Sequence, residues 1–185
     1  MKNILLVAYY TLPHKNACSD RAHYAKSALQ NLFQITTLTV SNFGKTENES
    51  NFIRLDAIYN WQTSPKKILY KLLTKTIEPF FDNIDYYWIN NALKYFKKND
   101  ISKYDYIYSI YPSISSLILG HKLNQLYNIK LISDFTDSLI LDPLRPMSRR
   151  QEKKTEQLEK LVVDSSCLTI SISRVVTEYL RNKYP

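Results

Sequence analysis

Glycine is nearly absent from this 185-residue chain, which has only Gly44 and Gly120. A phosphate-cradling loop of the G-x-G-x-x-G or G-x-x-x-x-G-K-S/T kind needs glycines to bring backbone close to an anion, so the usual dinucleotide and P-loop sites are excluded. Cysteine is as scarce. Cys18 and Cys167 lie far apart and form no C-x-x-C pair, which reads as a reduced, cytosolic chain. No apolar run approaches the roughly 18 residues that a transmembrane helix needs. The opening MKNILLVAYY has one Lys and a short apolar run, as a signal peptide does. It lacks an A-x-A-type cleavage site and runs straight into Thr11–Pro13, so it reads as a first strand. Internal repeats and low-complexity linkers are absent too.

What is present is ordinary globular composition, 44% apolar and 23% charged, in a length that suits one domain with a single sizeable core. The formal net charge is +8. That excess asks for an acidic partner, whether nucleic acid, an anionic membrane or a phosphorylated ligand, and charge alone does not choose among them.

The apolar pattern alternates between strand and helix. Asn3–Tyr9 is a continuous apolar run of the kind buried on both faces of a parallel sheet. A polar loop, Tyr10–Asp20, leads to a helix that Ser19 or Asp20 is expected to cap. Gln34–Val40 and Phe52–Asp56 read as strands, with a surface loop at Ser41–Asn51. Two helices follow, Ser64–Phe81 and about Asp82–Lys98; the first carries Lys67, Lys71 and Lys75 along one face. Strands are then expected at Tyr104–Ile110, Ile129–Ser133 and Cys167–Ile172, the last with Cys167 in the core. Helices are expected at Ser113–Leu126, capped by Ser113, at Ser148–Val163 with a Glu156–Lys160 pair, and at Arg174–Lys183. Pro143 and Pro146 punctuate the loop before Ser148.

Six strands separated mostly by helices predict an α/β fold, a Rossmann-like doubly wound parallel sheet with helices on both faces and strand order 3-2-1-4-5-6. In that order the first and fourth strands flank the switch point, where open sheets bind ligands beyond the strand ends. The loops at Tyr9–Arg21, Tyr111–Ser113 and Asp134–Asp137 then face one crevice. Asp134 and Asp137, two carboxylates just past a strand end, are the candidate catalytic pair; the plainer reading has one cap a turn and the other solvated. They are too few oxygens for a hard cation, so no metal is expected. Pro13, His14, Ser19, Arg21, Tyr111, Ser113 and Thr136 are the ligand-binding candidates. Arg21, at a helix start, suits an anionic ligand or is ordinary surface charge. His14 either reaches ligand oxygens or is structural, and His121, beside Lys122, reads as solvated. Cys18 has no base beside it and is a poor nucleophile candidate.

Four segments carry a family likeness: NILLVAYYTLP, YPSISSLILGHKL, LISDFTD and EKLVVDSSCLTISISRVVTEYLRNKYP. With them the chain resembles the N-terminal half of GT-B glycosyltransferases, particularly the large retaining group numbered family four. In the closing segment Glu159, Asp164, Ser171 or Ser173, Leu180, Tyr184 and Pro185 match the family's ending. The LISDFTD strand end is similar to a DFRDPW motif seen in a bacterial subset involved in surface polysaccharide assembly. Asp134, Phe135 and Asp137 match it, whereas Thr136, Ser138 and Leu139 stand in place of its Arg, Pro and Trp. Asn16-Ala17-Cys18-Ser19 stands where a Gly-Gly is common.

The resemblance implies an acceptor-binding half of a sugar transferase that binds a glycan or lipid-linked acceptor and is inactive alone, with Asp134 and Asp137 positioning acceptor hydroxyls or stabilising developing positive charge. No cofactor is implied within this domain; the nucleotide-sugar donor and a Glu-x7-Glu element belong to a second, C-terminal domain expected to follow or to be supplied by a partner. The lysine stripe Lys67–Lys71–Lys75 suits docking on an anionic lipid surface at about 1 kcal/mol per basic residue, or is a solvated face. The location that goes with the first reading is cytoplasmic, peripheral on the inner face of the membrane. The rival reading is a non-catalytic glycan- or membrane-binding module that acts with a partner. Nucleic acid is not an expected partner, because no recognition motif accompanies the charge.

Overall fold

The computed structural model describes residues 1–41, 51–58, 68, 84–141 and 147–184. The expected helix at Ser64–Phe81 with Lys67, Lys71 and Lys75 and the loop prolines Pro143 and Pro146 lie outside the described residues, as does most of the Ser41–Asn51 loop.

Six strands, β1 (Lys2–Val7), β2 (Phe33–Val40), β3 (Phe52–Leu55), β4 (Tyr106–Ile110), β5 (Lys130–Phe135) and β6 (Ser166–Ser171), form one sheet in the order β3-β2-β1-β4-β5-β6. Every neighbouring pair is parallel. The helices between them are α1 (Ala17–Leu29), α2 (Tyr86–Lys98), α3 (Ile114–Tyr127), α4 (Arg149–Ser165) and α5 (Arg174–Lys183). This is the doubly wound Rossmann-like architecture expected from the alternating pattern.

The continuous apolar run of β1 explains its central place. Ile4, Leu5, Leu6 and Val7 are all buried because both faces of the sheet are covered there. Leu5 and Val7 face the larger core with Trp88 and Phe96 of α2, Leu117 and Leu123 of α3, and Val162 of α4. Ile4 and Leu6 face a smaller core with Ala22 of α1, Ile35, Tyr108 and Ile110. Near β5 and β6 that second face is less covered: Ile132 and Ile170 are half-buried and Leu168 is half exposed.

Helix α3 sits unusually close to the sheet. A Cβ on Gly120 would overlap the Ser109 hydroxyl and lie 3.0 Å from Leu131 Cδ1, so only glycine fits at this crossing of α3 with β4 and β5.

Several local expectations are corrected. The N-cap of α1 is Asn16, whose side chain accepts from the Ser19 amide at 2.8 Å, and not Ser19 or Asp20. Helix α2 starts at Tyr86 behind an Asp85 cap, later than the expected Asp82. Ser113 holds the cap position of α3 but its side chain makes no capping bond. Strand β5 runs on to Phe135, two residues past the expected Ser133, so Asp134 and Phe135 belong to the strand and not to the loop. Glu156 pairs with Lys183 of α5 at 2.8 Å, and Lys160 pairs with Asp164, in place of the expected Glu156–Lys160 pair. Cys167 is exposed, because β6 is an edge strand and the register shifts beside it. His121 is half-buried with its Nδ1 3.0 Å from Ser165 Oγ, and burial and the Lys122 charge hold its pKa below the ordinary histidine value. Ser148 caps α4 in a full capping box with Gln151. Among the described residues no helix is long and apolar enough to cross a membrane.

Candidate functional site

The strand order puts the β1–α1 loop, the turn after β4 and the end of β5 at the switch point, and the structure brings these three together. The tie between them is electrostatic. Arg21, one turn into α1, reaches across to Asp134 near the end of β5: its Nε donates to Oδ2 at 3.0 Å and its Nη2 to Oδ1 at 2.9 Å. This bidentate fork is the strongest form of the Arg–carboxylate contact. Tyr108 of β4 donates its hydroxyl to Asp134 Oδ2 at 2.8 Å. Asp134 is wholly buried, whereas the Arg21 side chain is 31% exposed. The Asp134 hydrogen bonds hold the Arg21 guanidinium above its ordinary pKa, and burial together with the Asp134 charge pushes the Tyr108 phenol up.

The anion that Arg21 meets is therefore within the chain itself. Asp134 is a ligand of Arg21 and Tyr108, with both oxygens engaged.

Past Asp134 the chain is anchored twice. Thr136 Oγ1 donates to the Tyr111 carbonyl at 2.6 Å, and the Tyr111 amide donates to the Asp134 carbonyl at 2.9 Å. Ser138 Oγ donates to Glu159 Oε2 at 2.9 Å, and the Leu139 amide donates to the same oxygen at 2.7 Å. Asp137 lies between these anchors and is exposed. Glu159 is fully buried on α4 without a cation partner among the described residues, and its other oxygen accepts from the Tyr184 hydroxyl at 3.0 Å. That carboxylate thus joins the loop after β5 to the end of α5.

The β1–α1 loop forms the opposite wall. The Tyr9 amide donates to Ser116 Oγ of α3 at 3.0 Å, and Thr39 Oγ1 donates to the Tyr9 carbonyl at 3.1 Å. His14 stacks on Tyr10 with ring centroids 5.7 Å apart, and Pro13 is exposed. Ser19 is buried, its hydroxyl donating to the Asn16 cap at 2.7 Å, so it serves the helix start. Cys18 and Ser113 line a slot between Tyr9, Tyr10 and Pro112 of only about 10 Å³, room for one water. Burial pushes the Cys18 thiol up, which agrees with its reading as a poor nucleophile. Among the described residues no group of three His, Cys, Asp or Glu side chains is placed to hold a metal ion.

Behind this wall stands Asp85, the cap of α2. It accepts from the Tyr9 hydroxyl at 2.8 Å, the Ile58 amide at 2.7 Å and the Trp88 amide at 2.8 Å. Burial nonetheless raises its pKa above the ordinary 3.8, against the pull of those hydrogen bonds. The folded state then binds this proton more tightly than the unfolded chain. Its contribution to stability is fullest in acid and declines as pH rises from 3.8 through the folded value. Asp85→Asn, which cannot accept at both side-chain atoms, is expected to cost about 1–3 kcal/mol. The stability difference from the parent should narrow as pH rises from about 4 to 7. Urea midpoints across that range check this, and a constant difference would show that Asp85 does not titrate there.

Sequence reading reached Arg21, Asp134, Tyr111 and Thr136 as neighbours, but not the pairing of the first two. It missed Tyr108 and Asp85, and took Glu159 only as a match to a family ending. The signal for Glu159 was its spacing: Thr155, Glu159 and Val162 make one buried stripe of α4. No protein-family model matches the chain, and no curated protein matches it significantly.

Proposed function

We propose that the chain is the acceptor-side half of a glycosyltransferase, which moves a sugar from a nucleotide donor to a glycan or lipid-linked acceptor in surface polysaccharide synthesis. The observation that carries the reading is Asp137, an exposed carboxylate held between two anchored residues, Thr136 and Ser138, beyond the carboxyl end of β5, next to the switch point of a 3-2-1-4-5-6 parallel sheet. A carboxylate fixed at both flanks suits a group that must meet a hydroxyl in one orientation. In this reading Asp137 accepts the hydrogen bond of the reacting acceptor hydroxyl or faces the charge that develops as the sugar–phosphate bond breaks. Asp134 and Arg21 are positioning residues that hold the β5 end against α1. Tyr10, His14 and Ser113 supply the acceptor wall.

The donor nucleotide and its paired glutamates come from a second domain, and retention of configuration follows from the family resemblance. Peripheral attachment to an anionic membrane belongs to the same reading. The test is transfer from radiolabelled nucleotide sugars to a membrane-extracted acceptor mixture, comparing the 185-residue chain with the product of the full open reading frame. Transfer by a longer product alone is expected. If no longer product exists and no donor is consumed, the catalytic reading fails and a glycan- or membrane-binding module replaces it.

A further inference from the structure

One buried carboxylate has no part in the reaction proposed above. Glu159 of α4 is wholly buried and has no cation partner among the described residues. Burying a charge without a counter-charge is costly, and an apolar side chain of similar volume is often neutral or stabilising in such a place. Stability alone therefore gives no reason for a carboxylate here.

Its two oxygens serve different segments. Oε2 accepts from the Ser138 hydroxyl at 2.9 Å and from the Leu139 amide at 2.7 Å, both in the loop after β5. Oε1 accepts from the Tyr184 hydroxyl at 3.0 Å, at the end of α5. Hydrogen bonds to an ionised acceptor are shorter and stronger than neutral ones, so the loop is held firmly. The carboxylate also orients Ser138. With its proton given to Glu159, Ser138 Oγ is left to accept from the Ile140 and Leu141 amides at 3.2 and 3.3 Å. Residues 138–141 are thus wound around one hydroxyl, which one buried carboxylate fixes. Asp137 comes directly before this knot, and its other neighbour, Thr136, is only half-buried. The buried anchor of Asp137 is the one that Glu159 makes.

We propose that Glu159 is the positioning residue of Asp137: it holds Ser138 and Leu139 so that the Asp137 carboxylate keeps one orientation beyond the end of β5. Its effect on transfer rests on the acceptor-side reading above, whereas its effect on loop order is a property of this fold alone.

Loop order is read by backbone amide relaxation NMR on the 185-residue chain. The Asp137 order parameter should be ~0.85 in the parent and below ~0.6 in Glu159→Leu, which fills the volume but accepts nothing. Ser138→Ala leaves Glu159 the Leu139 and Tyr184 donors, keeps the fold, and should give a value between these. Glu159→Gln should keep the loop ordered, because its carbonyl can take both loop donors while its amide meets the Tyr184 hydroxyl. Tyr184→Phe controls for a purely structural role: it removes a donor from the same carboxylate and should lower the thermal midpoint without loosening Asp137. No loosening in Ser138→Ala overturns the proposal, and equal loosening in Tyr184→Phe overturns it too. In the full-length product Ser138→Ala should lower transfer by about 10- to 100-fold, the effect of a small misplacement, in the same constant that Asp137→Asn changes. Added to Asp137→Asn it should cost nothing more, since no carboxylate is left to position. Losses that multiply overturn the positioning role. A parent that transfers no sugar refutes the acceptor-side reading, and loop order then decides the role of Glu159 by itself.

Discussion

Arg21→Ala is expected to destabilise the chain by about 3 kcal/mol, the low end of the ~3–5 kcal/mol for breaking a buried ion pair from one side. The low end applies because the Arg21 side chain is 31% exposed, so water already screens part of the pair. What remains is a wholly buried Asp134 carboxylate with the Tyr108 hydroxyl as its one side-chain donor. The reverse change should cost less. In Asp134→Ala the guanidinium can turn to water, and the loss is mainly the acceptor of the Tyr108 hydroxyl, about 1–3 kcal/mol. Arg21→Lys should fall between parent and alanine, since a single ammonium cannot reproduce the two-point fork. Guanidinium unfolding midpoints at constant m-value order the three variants. A double variant that costs as much as the two singles added would show that the pair is not coupled. Equal losses from both single changes would contradict the asymmetry in burial.

Asp137→Asn in the full-length product is expected to lower sugar transfer by about 10²–10⁴-fold, the range for removing a positioned acid–base group. Stability should not change measurably, because Asp137 is exposed on a loop whose anchors are its neighbours. The division of the loss identifies the role. A fall in kcat at constant KM means that the carboxylate acts only in the transition state; a rise in KM alone means that it holds the acceptor. Transfer within threefold of the parent would remove Asp137 from the chemistry. The same assay on Asp134→Asn is harder to interpret, since that residue is an internal ligand of Arg21 and its loss acts first on the fold.

The sheet was legible because its evidence is local. A continuous apolar run such as Ile4–Val7 means burial on both faces, and strand–helix alternation then leaves few topologies. The crevice followed from strand order alone. The misread residues are those whose surroundings come from far along the chain. Asp134 looks like a loop carboxylate until Arg21, which lies 113 residues away, neutralises it inside the strand. Cys167 looks like a core residue because SCLTIS is uncharged, but uncharged residues also occupy an edge strand. Asn16 and Ser19 are equally good caps by residue type, and only the path of the β1–α1 loop decides between them. Asp85 carried no periodic signal. Its role depends on Tyr9, Ile58 and Trp88 arriving from three different segments.

The sheet face beyond α1 bears on how the purified domain should be judged. Ile132, Leu168 and Ile170 form an incompletely covered apolar strip beside an edge strand that carries no charged residue. A fluorescent dye that seeks apolar surface will find this strip in the native state. Its emission would then be a property of correctly folded protein, and loose packing must be diagnosed from near-ultraviolet dichroism or side-chain resonances instead.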